Sequence, residues 1–242
     1  MKKYVFLPTP STLRSFLINI SLLLLISNAC LCQEATEKDS VTLKDFIPTG
    51  VRLGTDVLAL IKTGYEDRFS GWEVNADVDF HRYFLAIDFG NWQRSIPYDQ
   101  GHYSNDGTYY RIGADMNFLT KDPYKNVLFF GVRYARSSFS EEFQAFITDP
   151  VWGDADATYT NQDVTARWFE LTGGLKVKIW KFLWLGYTAR FKFALATSDT
   201  PGMLPHDIPG YGTYDIDKVA TWGFNYQVLI RLPLRGKDGD AD

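Results

Sequence analysis

Cysteine is scarce in this chain of 242 residues, and the only 2, Cys30 and Cys32, fall close to its start. If that segment is removed, the remainder has no thiol, which excludes a disulfide framework and a cysteine nucleophile. Positive charge is not in excess: 25 Lys and Arg stand against 29 Asp and Glu, for a net charge of -4. With a pI near 5.4 and no basic stripe, a nucleic-acid partner is excluded. Strong overall hydrophobicity is missing too. The mean hydropathy of -0.19 is not that of a helical membrane protein. Aromatic residues, in contrast, are abundant at 16% of the chain, a combination that suits a barrel with alternating polar and apolar positions.

The first residues read as a targeting segment. Lys2, Lys3 and Arg14 give a positive start, and the apolar stretch from Phe16 to Ile26 is too short to span a bilayer as a helix. Cys30 and Cys32 occupy the small-residue positions of a cleavage site, making 1–32 a signal peptide and Gln33 the first mature residue. Acylation of Cys30 is the alternative, although Ser27-Asn28-Ala29-Cys30 lacks the usual aliphatic residue three positions upstream. Residues 33–47 are charged and aperiodic and read as a periplasmic leader; 48–235 form one β domain, and 236–242 form an acidic tail.

Within that domain the dominant signal is a period of two. Trp222, Phe224, Tyr226, Val228, Ile230 and Leu232 point one way, while Gly223, Asn225, Gln227 and Arg231 point the other. The same alternation runs through Val51 to Val57, Trp72 to Phe80, Tyr83 to Phe89, Tyr110 to Phe118, Leu128 to Tyr134, Phe169 to Val177 and Leu183 to Phe193. The fold class predicted is all-β, an eight-stranded antiparallel up-and-down transmembrane β-barrel.

Connection lengths alternate. Those at 62–71, 96–107, 140–164 and 196–220 are medium or long, and those at 81–82, 119–126 and 180–181 are short. Outer-membrane barrels pair long extracellular loops with short periplasmic turns, so both termini are expected in the periplasm. A soluble lipocalin-like barrel is the alternative, with its apolar face inward around a ligand. Against it, Glu73, Asp77, Asp79, Asp88, Arg111, Asp115, Arg133, Glu170, Lys176, Arg190, Lys192 and Arg231 all share the polar face. Charges at that density cannot line a dry cup but can form a paired interior.

Several segments carry a resemblance. Gly50-Val51-Arg52-Leu53-Gly54-Thr55-Asp56, Gly71-Trp72-Glu73 with Asp79-Phe80, Tyr110 to Phe118, and Gly131-Val132-Arg133-Tyr134 with Phe139-Ser140 resemble a family of small Gram-negative outer-membrane β-barrels. That family is known only as a domain of unknown function. The architecture is similar to the OmpA/OmpX type. The resemblance implies the barrel and its compartment but no activity. The last strand is followed by Pro233 to Asp242 instead of ending on an aromatic, leaving Leu232 or Leu234 as candidates for the terminal assembly signal.

Candidate chemistry is sparse. His102-Tyr103-Ser104-Asn105 resembles the His-x-Ser-Asn motif of outer-membrane lipid A 3-O-deacylases, in which His activates Ser against an acyl ester. The resemblance gives His102 and Ser104 as catalytic pair, with Asp115 or Asp106 as the orienting carboxylate; unlike the family motif, this one lies in a connection and not on a late strand. Asp149, Asp154, Asp156 and Asp163 make an acidic loop without EF-hand spacing, so no metal or other cofactor is predicted. His206, in a Pro/Gly-rich loop, reads as an exposed histidine, with pairing to His102 across the loop face as the alternative, and His81 reads as structural in a tight turn. Aromatics at strand ends, among them Trp72, Phe80, Tyr83, Tyr110, Phe118, Trp180, Trp184 and Trp222, read as interfacial girdles. Trp152, Tyr159, Tyr211 and Tyr214 lie in long connections and are the candidates for contact with an external partner. The leading expectation is a non-enzymatic structural or surface-interaction barrel. Its expected partners are outer-membrane lipid and lipopolysaccharide, the barrel-assembly machinery, and an extracellular protein or glycan.

Overall fold

The computed structural model describes residues 47–234 except 81, 120–125, 150–152, 199, 201–202 and 216, and except the side chains of 148 and 149. The expectations for 1–32, 33–46 and 236–242, and for His81, Trp152 and the Asp149 side chain, lie outside the described residues. Strands and helix run in the order β1 (Gly50–Asp56), α1 (Val57–Tyr65), β2 (Phe69–Phe80), β3 (Tyr83–Tyr98), β4 (Gly101–Asn117), β5 (Asn126–Asp149) and β6 (Gly153–Lys178). They continue with β7 (Leu183–Thr197), β8 (Asp207–Ile208), β9 (Gly212–Thr213) and β10 (Ala220–Pro233). The long strands close into an antiparallel barrel in the ring order β1-β10-β7-β6-β5-β4-β3-β2, while β8 and β9 pair only with each other. Over the length of β1 closure leaves no sheet edge, and both ends of the barrel lie at one rim, where Gly50 pairs with Pro233.

The alternation assigns two faces. On β3, Leu85, Ile87 and Phe89 are exposed on the outside, while Phe84, Ala86 and Asp88 are buried inside. β10 does the same, with Phe224, Tyr226 and Ile230 outward and Asn225, Gln227 and Leu229 inward. The apolar exterior has a sharp limit. Along β4 it covers Tyr110 to Met116 and then gives way to Thr108, Asp106, Ser104 and His102; along β5 it covers Leu128 to Tyr134 and then gives way to Arg136, Ser138 and Ser140. Such a band, apolar outside and charged inside, is the surface of a barrel that meets lipid. It reverses the faces of the lipocalin reading. Trp72, Tyr83, Tyr110, Phe118, Trp180 and Trp222 are exposed along the band, whereas Phe80 is half-buried. Trp184 is a correction: it is 1% exposed and points into the interior.

The connections differ from expectation. The segments 96–107 and 140–164 are mostly strand, so β3 and β4 are joined only at 99–100, and β5 and β6 form a hairpin running far past the apolar band. Val57 does not extend β1. Asp56 accepts a hydrogen bond from the Leu58 backbone N–H at 3.1 Å and caps a helix over Val57–Tyr65, because Leu58, Ala59, Leu60 and Lys62 favour helix once a cap is present.

Candidate functional site

The interior is filled in three layers. Nearest the rim where Gly50 pairs with Pro233, Phe84, Val127, Phe129, Trp184 and Leu229 make an apolar cluster. Arg52 lies over the Phe84 ring at 4.4 Å and donates from Nε to Asp77 Oδ1 at 2.6 Å. Above it comes a layer of charge. Glu170 accepts from Arg111 Nε at 3.0 Å and from Arg190 Nη1 at 3.0 Å. Arg111 also donates to Glu73 at 2.6 Å, Arg190 to Asp88 at 2.9 Å, Arg133 to Asp115 at 2.7 Å and Lys176 to Asp77 at 2.8 Å. All of these groups are buried, so each carboxylate has exchanged water for guanidinium or ammonium donors, which is what makes charge tolerable there.

The third layer is built by the connection between β7 and β10. Sequence placed it outside, but it folds back into the barrel. Ile208 and Tyr211 are buried with Trp168, Tyr109 and Phe139, and the Trp168 and Tyr211 rings meet edge to face at 5.5 Å. Its backbone is held by inward cations: Gly210 O accepts from Arg111 Nη2 at 2.9 Å and from Lys192 Nζ at 2.9 Å, and Tyr211 O accepts from the same Lys192 at 2.8 Å. The Asp207 carbonyl accepts from Asn105, and Tyr103 donates to Glu141 at 2.8 Å. Gly210 has φ +78, and a Cβ there would lie 2.5 Å from Tyr109 Cγ, so only glycine allows this approach. The long loop is therefore a stopper. Its sequence signal was the run Ile208-Pro209-Gly210-Tyr211-Gly212, apolar and conformationally special in an otherwise polar connection.

The expected site residues separate. His102 and Ser104 lie on the outward side of β4, beyond the apolar band, and Asp115 lies on its inward side, buried against Arg133. His102 Nε2 meets Ser95 Oγ at 3.1 Å across the β3–β4 pair, and His206 Nε2 meets Tyr98 Oη at 2.8 Å. No His-Ser-carboxylate relay is assembled from His102, Ser104 and Asp115, because strand alternation sends even and odd positions to opposite faces. Asp106, the other carboxylate considered, hydrogen-bonds Gln93 at 2.8 Å. Among the described residues no group of His, Cys, Asp and Glu could hold a metal ion. Of the partner-contact candidates, Tyr159 is exposed, Tyr211 is 4% exposed inside the barrel, and Tyr214 packs against the same cluster. The missed exposed residues are Phe146 and Ile147, on the projecting part of β5.

Solved structures similar to this chain include Neisserial surface protein A (NspA), at 10% identity and a TM-score of 0.34, with 76% of this chain and 95% of that one covered. Ail, the attachment invasion locus protein of Yersinia pestis, solved with the heparin analogue sucrose octasulfate, matches at 10% identity and a TM-score of 0.34, covering 76% of this chain and 97% of that one. Acinetobacter baumannii CarO matches at 11% identity and a TM-score of 0.39, with 76% and 97% covered. No functionally curated protein matches the sequence. A family model described as "Domain of unknown function (DUF6048)" matches residues 13–237, nearly the whole sequence, and the chain belongs to that family.

Proposed function

We propose that this protein is a non-catalytic barrel of the Gram-negative outer membrane, closed to solute flow, that presents the β5–β6 hairpin to partners outside the cell. One observation carries the reading. β5 and β6 are 24 and 26 residues long, more than twice the roughly 9–11 residues a strand needs to cross a bilayer. The surplus lies at the rim opposite Gly50 and Pro233, and Phe146, Ile147 and Tyr159 are exposed on it. Exposed aromatic and branched side chains held on a strand lose little entropy on binding, which favours contact with another surface. The filled interior supports a closed barrel, and the sharp apolar band and the signal-like 1–32 segment support the compartment.

The test has two parts. Ala157→Cys should react with a membrane-impermeant maleimide on intact cells; protection in intact cells with reaction after lysis would overturn the orientation. Replacing residues 142–160 by Asn-Gly should leave a heat-modifiable, membrane-inserted barrel yet reproduce the phenotype of a deletion strain. Full complementation by the shortened barrel would overturn the presenting role.

A further inference from the structure

β1 is too short for the wall it belongs to. It pairs with β10 only as far as Asp56 opposite Gln227, and with β2 only as far as Thr55 opposite Val74. β10 continues to Ala220 and β2 to Phe69, so beyond β1 no strand lies between them. The helix α1 stands at this gap with none of its residues buried. Two side chains replace part of the missing ladder. Asp56 Oδ1 accepts from the Tyr226 backbone N–H at 3.1 Å on the β10 edge. On the β2 edge, Thr63 Oγ1 accepts from the Gly71 N–H at 2.8 Å and donates to the Gly71 carbonyl at 2.7 Å. An open sheet edge facing hydrocarbon is costly, and these bonds are how this chain keeps one.

The gap opens at the edge of the apolar band. Trp222 and Phe224 on one side and Trp72 on the other belong to the outward apolar face, at 64%, 54% and 42% exposure. Behind it lies a cavity of about 590 Å³ that reaches from Ala59 and Phe224 inward to Tyr109 and Tyr211. That is within the roughly 300–1,000 Å³ range of pockets that enclose a small ligand. Most charge at the cavity is paired within the protein, and the Asp56 carboxylate accepts from the Leu58 and Tyr226 N–H groups and from Asn225 Nδ2. Lys218 pairs with Asp215 at 3.0 Å, a hydrogen bond that holds the Asp215 carboxyl below its ordinary range, and Arg94 reaches Asp207 at 3.4 Å. Arg111 and Lys192 are engaged by Glu73, Glu170 and the stopper backbone. Lys62, in the last turn of α1, lies 5.4 Å from the Phe69 ring, and no ion pair for it is found among the described residues.

We propose that the gap between β10 and β2 is a lateral entrance through which the cavity takes one acyl chain of an anionic membrane amphiphile, with Lys62 holding its head group. The chain enters from the bilayer past Trp222 and Phe224, so it never crosses water. The occupant differs from the external partner of the hairpin and does not depend on it.

The experiment uses the signal-processed protein folded into phosphatidylcholine vesicles, with stearic acid carrying a terminal diazirine as probe. After irradiation, peptide mapping is expected to find label on the inward residues Tyr109 and Tyr211, competed by unlabelled stearate. Ala59→Phe, which fills the mouth, should reduce that label about tenfold. Lys62→Glu should reduce it about fivefold and bring the acid down to the level of its methyl ester. Both variants are checked for folding by their heat-modifiable gel shift. Repeating the experiment with a phosphatidylglycerol carrying the same diazirine chain distinguishes a free fatty acid from a resident lipid, and inward label from either supports the entrance. Label confined to outward residues such as Trp222 and Phe224, or inward label that excess stearate does not compete, would overturn it. Equal labelling by acid and ester in the unmodified protein would overturn the role of Lys62.

Discussion

The assignment of faces makes a quantitative prediction at Ile112. This side chain is exposed, lies on the outward side of β4 within the apolar band, and is flanked by Ile87 on β3 and Tyr134 on β5. Ile112→Arg places a cation inside the apolar band, where the cost rises toward the roughly 2–4 kcal/mol found at the midplane of a barrel. At about 1.4 kcal/mol per factor of ten, the fall in the folding equilibrium should rise toward roughly 30-fold to 1,000-fold. Thr108 provides the control. It is on the same face of the same strand, four residues further on and past the limit of the band, where the cost of Thr108→Arg should be about 0–1 kcal/mol. Both are measured by reversible urea unfolding in phospholipid vesicles, followed by the gel shift between folded and boiled protein. Equal destabilisation at the two positions would refute the placement of the band limit, and no destabilisation at Ile112 would refute contact of this face with lipid.

Three further outcomes are expected. Glu170→Ala strips Arg111 and Arg190 of a shared buried partner and should cost about 3–5 kcal/mol in the same unfolding assay. Gly210→Ala forces a Cβ against Tyr109 at φ +78; a strain of roughly 1–3 kcal/mol should release the stopper and make the segment between Met203 and Thr213 sensitive to protease while the barrel persists. Ser104→Ala should shift stability by less than about 0.5 kcal/mol and leave the mass of lipid A from expressing cells identical to that from cells with the unchanged protein; a difference in acylation would restore the deacylase reading.

How far the sequence could be read depended on where the information was local. Strand positions and faces were legible because burial against a bilayer imposes a strict period of two, visible in Trp222 to Leu232 and in Tyr83 to Phe89. The inward charges were legible for the same reason, since Glu73, Arg111, Glu170 and Arg190 fall on the polar phase of four different strands. Their pairing was not, because Arg190 on β7 meets Asp88 on β3 across the barrel lumen, and no local pattern records that. The His102-Ser104-Asp115 reading failed on the same rule that gave the fold: an odd separation from His102 or Ser104 sends Asp115 to the other face.

Local pattern along the chain was enough to establish that it alternates as barrel strands, that one face is apolar and the other charged, and that an even number of strands brings both ends of the barrel domain to one rim. Each follows from the stereochemistry of single strands. The fate of the connections rests on contacts between residues far apart in the chain. Whether Asp207 to Tyr211 project or plug depends on Arg111 and Lys192 meeting the carbonyls of Gly210 and Tyr211, groups that come from β4, β7 and the loop. Whether the wall is complete depends on one competition at Asp56, which can continue a strand or cap a helix. It caps the helix and binds the Tyr226 edge as well, so the gap exists because a long-range hydrogen bond and a local one are satisfied by the same carboxylate.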